Sequence, residues 1–132
     1  MNYTTYSELI LGKKALRRKQ FVQKLSELAY PEDIEIDGEG HLYVALHQAY
    51  EDAVPVLLVA AREGIGIEHG RESTGETTFF YYRHGRAVDI PVSPYSLPEI
   101  AGIALHVRGQ LELVTQRDLD RLLKALGEYA QS

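Results

Sequence analysis

The stretch over residues 77–92 constrains the fold most. Residues 77–82 are a run of β-branched and aromatic side chains, the composition of a pleated, half-buried strand. His84-Gly85 then turns the chain into a second such run over 87–92. Two runs joined by a tight turn make a hairpin, and a hairpin commits the chain to antiparallel pairing. Other strands are expected at 34–36, where isoleucine alternates with acid ahead of Asp37-Gly38, at the short valine-rich apolar run 54–61, and at 111–114.

Helices are predicted between these strands. Thr5 and Glu8 stand at capping-box spacing, which predicts a helix from near Tyr6, interrupted at Gly12. Over 13–29, Leu16, Phe21, Val22, Leu25, Leu28 and Ala29 recur at helical spacing until Tyr30-Pro31 ends the segment. Residues 41–52 read as a helix on Leu42, Leu46 and Ala49, although Tyr43 and Val44 suit a strand. Gly64-Ile65-Gly66 reads as irregular and 68–76 as an exposed loop. Ser96 and Glu99, with Pro98 in the first turn, open a helix to about residue 107 that Gly109 closes. Thr115 and Asp118 open the last helix, with Leu119, Leu122, Leu123 and Leu126 along one face. The class is α+β: a small antiparallel sheet with helices packed on it, as one domain over residues 1–132.

Composition narrows the setting. With no cysteine, the chain makes neither disulfides nor thiolate metal sites. The longest apolar run, 53–61, is too short to cross a bilayer, so no membrane partner is expected. The first eleven residues lack the basic segment and cleavage pattern of a secretory signal. Together these point to the cytoplasm. The net charge of −5 is unevenly spread. Residues 1–30 hold Lys13, Lys14, Arg17, Arg18, Lys19 and Lys24 against Glu8 and Glu27, a net +4 on a helical segment, which leaves −9 on the body over 31–132. A basic segment on an acidic body points to partners as well as to a solvated face.

One motif carries a family resemblance. Gly85-x-Ala87-x-Asp89 resembles the G-x-A-x-D core of the zinc D-alanyl-D-alanine carboxypeptidases and the related L-alanyl-D-glutamate endolysins. The order of expected elements over roughly 40–120 is similar too. The resemblance implies a zinc site of which Asp89 is in place, while Tyr82 occupies the position of the first histidine and Asp118-Leu119-Asp120 the region of the second. His84 would share the face of Tyr82 on a strand and so could stand in as a ligand, with Arg62 holding a substrate carboxylate. Such a chain would be a zinc peptidase-like cell-wall hydrolase or a relative that has lost its metal. Without the resemblance, the same residues are a hairpin turn entering a strand.

The remaining chemistry-bearing residues form no recognisable constellation. His41 and His47 are six apart, while His69 and His106 stand alone, so none has the i, i+4 spacing of a paired zinc site. Ser73 and Thr74 lack a nucleophile signature. Gly64-Ile65-Gly66 lacks the later glycine of a phosphate loop. The two C-terminal helices could be read as a helix-turn-helix, but Arg117, Arg121 and Lys124 are balanced by Asp118, Asp120 and Glu128. The expectation is therefore a small non-catalytic interaction or regulatory protein, needing no cofactor, of which a phage-encoded inhibitor is one form. It would bind an acidic protein or nucleic-acid-associated machinery. The contacts expected are Lys13, Lys14, Arg17 and Arg18 on the basic helix, with Arg62 and an aromatic strand that includes Tyr82. A structural assembly subunit is the other alternative.

Overall fold

The computed structural model describes residues 6–47, 49–50, 52–70 and 75–131. Six strands form one antiparallel sheet: β1 (Tyr6–Leu11), β2 (Ile34–Ile36), β3 (Leu42–His47), β4 (Ile65–His69), β5 (Thr77–Arg83) and β6 (Arg86–Pro91). Their order is β2-β3-β1-β4-β5-β6, so β1 is an inner strand paired with both β3 and β4. Four α-helices accompany them: α1 (Lys19–Leu28), α2 (Ala53–Ala61), α3 (Leu97–Gln110) and α4 (Gln116–Gln131). The α+β class is as expected.

Period-two alternation assigns the two sheet faces. Leu9 and Leu11 of β1, Leu42, Val44 and Leu46 of β3, and Phe80 of β5 face a core filled by α1, α2 and α4. The helices contribute Phe21, Val22 and Leu25, then Val54, Leu57 and Leu58, then Leu119, Leu122 and Leu126. The opposite face carries Tyr6, Glu8, Ile10, Tyr43, Ile65 and Phe79. Helix α3 lies on this side. It contacts β4 and pairs Arg108 with Asp37 at 3.4 Å and Glu39 at 3.0 Å in the β2–β3 turn.

Several expectations from sequence are corrected. The helix predicted from Tyr6 is strand β1, in which Ser7, Leu9 and Leu11 are buried in alternation; Thr5 lies outside the described residues. The helix over 41–52 and the strand over 54–61 are exchanged. Leu42–His47 is a strand with Leu42, Val44 and Leu46 turned into the core, and Ala53–Ala61 is helix α2. Helix α2 packs on α1 and on β1, β4, β5 and β6, so six of its nine residues are buried. Its exposed positions, Val56 and Val59, are apolar too, so the helix has no polar stripe, and in sequence it cannot be told from a buried strand. Its amino end is met by the buried Glu68, whose Oε1 accepts the Val54 N–H at 3.3 Å.

Gly64-Ile65-Gly66, expected to be irregular, leads into β4. Gly66 has a packing role: a Cβ there would run into Val54 Cγ1 and lie 3.1 Å from the Glu8 carbonyl oxygen. Residues 111–114 form no strand. They are an extended link held by Val114 N donating to the Gly40 carbonyl at 2.7 Å and by the Glu112 carbonyl accepting from Lys13 N at 3.2 Å.

The hairpin is confirmed. His84 (φ 50°) and Gly85 (φ 85°) are both left-handed, which makes the two-residue loop a type I′ turn whose twist matches that of the strands. Among the described residues no helix is long and apolar enough to cross a membrane.

Candidate functional site

The expected basic helix is broken in two. Lys13, Lys14 and Arg17 lie on a 3-10 turn, Lys13–Arg17, and Arg18 is extended (φ −93°, ψ 107°) before α1 begins. A single basic helix over 13–29 therefore does not form. Instead the 3-10 turn and α1 face α4 across a groove. Its floor is Leu16, Val22, Leu122 and Ala125, and its rim carries Lys13, Arg17, Lys19 and Arg121. Tyr129 and Glu128 close one end and Asp118 lies at the other. The groove comprises two adjoining depressions of about 460 and 330 Å³.

Local chemistry positions each wall. Helix α4 begins with a reciprocal cap: Thr115 N and Oγ1 donate to Asp118 Oδ2 at 2.9 and 2.8 Å, and Asp118 N donates back to Thr115 Oγ1 at 3.2 Å. The Thr115 N–H, then its hydroxyl, hold the Asp118 carboxyl below the usual carboxylate range. Lys13 Nζ stands 3.9 Å from Asp118 Oδ2 and joins the two walls. The 3-10 turn is anchored from beneath by Glu63, whose Oε2 accepts the N–H groups of Gly12 at 2.8 Å and Ala15 at 3.2 Å. Burial pushes the Glu63 carboxyl up, against the lowering effect of those two donors.

A second polar cluster lies on the opposite sheet face. Tyr43 donates to Glu8 Oε1 at 2.6 Å, and the Tyr6 hydroxyl lies 2.7 Å from that of Tyr43. Since each phenol has one proton, Tyr6 is the donor to Tyr43. His69 Nε2 is 3.4 Å from Glu8 Oε2, and its ring stacks on Tyr6 with centroids 5.7 Å apart. Desolvation first, then the bond to Glu8, raises the Tyr43 phenol above its ordinary value, which makes Tyr43 a donor rather than a base. The network ties β1, β3 and β4 together. A third feature is a cleft of about 680 Å³ between the end of the β5–β6 hairpin and α3, where Tyr81, Arg83, His84, Glu99, His106 and Gln110 converge.

The other expected site residues are scattered. Arg62 is exposed in left-handed conformation at the end of α2 (φ 60°). Tyr82 is half-buried against the core and lines the cleft together with His84, while Phe79 of the same strand is fully covered. His84 is in the hairpin turn, and Asp89 is exposed three residues up β6 from Arg86, about 10 Å along the strand. His41 is buried, and its Nδ1 lies 4.0 Å from Glu39 without a hydrogen bond. His47 Nε2 is 3.7 Å from Asp33. Ser73 and Thr74 lie outside the described residues.

Sequence reading passed over Glu63 and the groove side of Arg121. Nothing local marks either one, because the first is defined by backbone groups some fifty positions away and the second by the face of α4 that meets α1.

A family model described as strictosidine synthase-like, N-terminal, matches residues 14–48. That segment is about a quarter of the chain and spans the 3-10 turn, α1, β2 and β3. No curated protein and no solved structure matches. The matching family is not the zinc carboxypeptidase and endolysin family, and the resemblance drawn from Gly85-x-Ala87-x-Asp89 is corrected accordingly. In the fold those residues are the second position of a type I′ turn and two positions on an edge strand.

Proposed function

We propose that the protein is a binding module that takes an acidic, amphipathic segment of a partner protein into the groove between the 3-10 turn, α1 and α4. One observation carries this reading: four cations, Lys13, Arg17, Lys19 and Arg121, ring an apolar floor on a chain whose net charge is −5. Concentrating positive charge there lets an acidic ligand approach a body that elsewhere repels it. A helix with leucines at i, i+3, i+4 and i+7 would lay them on Leu16, Val22 and Ala125, as apolar helix faces do in hydrophobic grooves. Its flanking carboxylates would meet Arg17, Lys19 and Arg121, which set orientation and speed association more than they deepen affinity. A regulator or inhibitor works in this way, by occupying a segment its partner uses elsewhere.

The test is fluorescence anisotropy with a synthetic acidic amphipathic peptide, its charge-inverted analogue, and a DNA duplex. The acidic peptide is expected to bind in the micromolar range, more weakly as salt rises, and at least tenfold more weakly to an Arg17→Glu/Arg121→Glu variant. Equal binding by that variant, or preference for the inverted peptide, would overturn the proposal. If the duplex binds more tightly than the peptide and loses affinity in the same variant, the groove is instead a nucleic-acid interface.

A further inference from the structure

Strand β6 ends the sheet, and among the described residues no strand pairs with its outer side. The hairpin fixes which of its backbone groups point outward. Arg83 and Arg86 flank the two-residue loop and exchange hydrogen bonds, so Val88 and Ile90 also bond inward to β5. The N–H and C=O groups of Ala87 and Asp89 therefore point away from the sheet, as does the C=O of Pro91. Two bonds share this phase. Tyr82, opposite Ala87, donates its N–H away from β6 to the Gly64 carbonyl at 3.1 Å, and Val92 N donates to the Thr77 carbonyl at 2.8 Å. Pro91 shares it too, since a proline fits an edge strand where the ladder needs no N–H.

The same phase fixes a side-chain direction. Ala87 and Asp89 stand on the sheet face of Tyr82 and Phe80, the face that α2 covers. There a depression of about 500 Å³ is lined by Ala87, by Lys24 of α1, and by Pro55, Val56 and Val59 of α2. Val56 is 40% exposed and Val59 42% exposed, so an unpaired backbone edge and an uncovered aliphatic surface meet at Ala87.

We propose that this edge takes an extended segment of a partner protein as a seventh strand, antiparallel to β6, with an aliphatic side chain opposite Ala87 and a basic one opposite Asp89. A row of outward N–H and C=O groups is matched by another extended backbone, which is what selects this occupant. Directly opposed residues project to one face of a sheet, so the residue opposite Ala87 lays its side chain in the depression against Val56 and Val59. The residue opposite Asp89 comes beside its carboxylate, where lysine or arginine is the complementary charge. Along the partner chain the motif is basic, any residue, aliphatic. A second copy of β6 does not fit. Centring the pair on Val88 puts the second copy's Asp89 carboxylate against the valines, centring it on Asp89 opposes two carboxylates, and centring it on Ala87 runs the pair into the hairpin turn. The surface shares no lining residue with the basic groove and stands independently of the function proposed for it.

The test is an amide and methyl NMR titration of the whole chain with a capped five-residue peptide of threonines carrying lysine second and valine fourth. The peptide is expected to bind with a dissociation constant of about 1 mM or tighter. It should shift the amides of Ala87 and Asp89 and the methyls of Val56 and Val59, and slow the exchange of those two amides. N-methylating the valine removes the N–H that the Ala87 carbonyl accepts and should weaken binding at least tenfold. N-methylating the central threonine, whose N–H points away from β6, should leave binding unchanged. Val59→Asp, at an exposed position, should lose the peptide and keep the wild-type Tm within a few degrees. No shift at these residues up to about 5 mM peptide would overturn the proposal. So would a valine-methylated peptide that binds like its parent, or a folded Val59→Asp variant that binds like wild type. Concentration-dependent protection of the Ala87 and Asp89 amides without peptide would put a second copy on the edge and overturn it as well.

Discussion

Glu63, just past the end of α2, holds the backbone N–H of Gly12 at 2.8 Å, and so fixes the point where the central strand β1 gives way to the basic 3-10 turn. The same oxygen takes the Ala15 N–H. One carboxylate thus joins the core layer to the wall of the groove, at the cost of a partly desolvated charge.

That cost gives a pH signature. Burial raises the folded-state pKa of Glu63 above its ordinary value of 4.5, so the folded chain binds the proton more tightly than the unfolded one. Its contribution to stability is fully present below that value and is lost as pH rises through the raised one. Glu63→Gln keeps an acceptor oxygen and removes the charge. It should match or exceed wild-type stability at neutral pH in urea unfolding. Glu63→Ala leaves two N–H groups without their acceptor and should cost about 1–3 kcal/mol.

Asp118 works in the opposite sense. Its folded pKa is lowered, so its stabilisation is present above the ordinary value of 3.8 and lost as pH falls through the folded one. Removing the cap in Asp118→Ala should cost about 1 kcal/mol at neutral pH and nothing at a pH where the wild-type carboxyl is protonated. Equal losses at both pH values would refute the capping role.

Gly66 has no room for a side chain, since its Cβ would occupy the space of Val54 Cγ1. Gly66→Ala should destabilise by about 1–3 kcal/mol through overpacking, with recovery in Gly66→Ala/Val54→Ala. Thermal unfolding of the double variant decides whether the two sites couple as this contact demands.

Tyr43 should stay protonated in the folded protein above the ordinary phenol value. A spectrophotometric alkaline titration of the wild type against Tyr43→Phe should assign to Tyr43 a phenol that ionises well above the ordinary value of about 10. Because its folded pKa is raised, its contribution holds below the unfolded value and is lost as pH rises above it, so Tyr43→Phe should flatten the alkaline decline in stability. If the titration difference between the wild type and Tyr43→Phe falls at the ordinary phenol value, Tyr43 has no protected bond to Glu8.

Local sequence settled the elements whose signals are complete within a few residues. The β5–β6 hairpin follows from β-branched runs around His84-Gly85, because a two-residue loop with a glycine demands that turn whatever surrounds it. The end of α1 before Tyr30-Pro31, the Thr115–Asp118 cap of α4, the apolar faces of both helices and the Ser96–Pro98 start of α3 were legible for the same reason. Tertiary structure alone decided the rest. Residues 53–61 are a helix that packs between α1 and the sheet, and 42–47 are a strand because β1 and β2 supply ladder partners; the apolar pattern of each segment permits either state. The groove was half visible. Its cations were evident as a charge cluster, but half of its floor, Leu122 and Ala125, and its fourth cation, Arg121, come from α4, about a hundred residues further along the chain. Charge is a property of residues and can be read from the sequence. A concave surface is a property of packing, and it exists only once α4 has docked on α1.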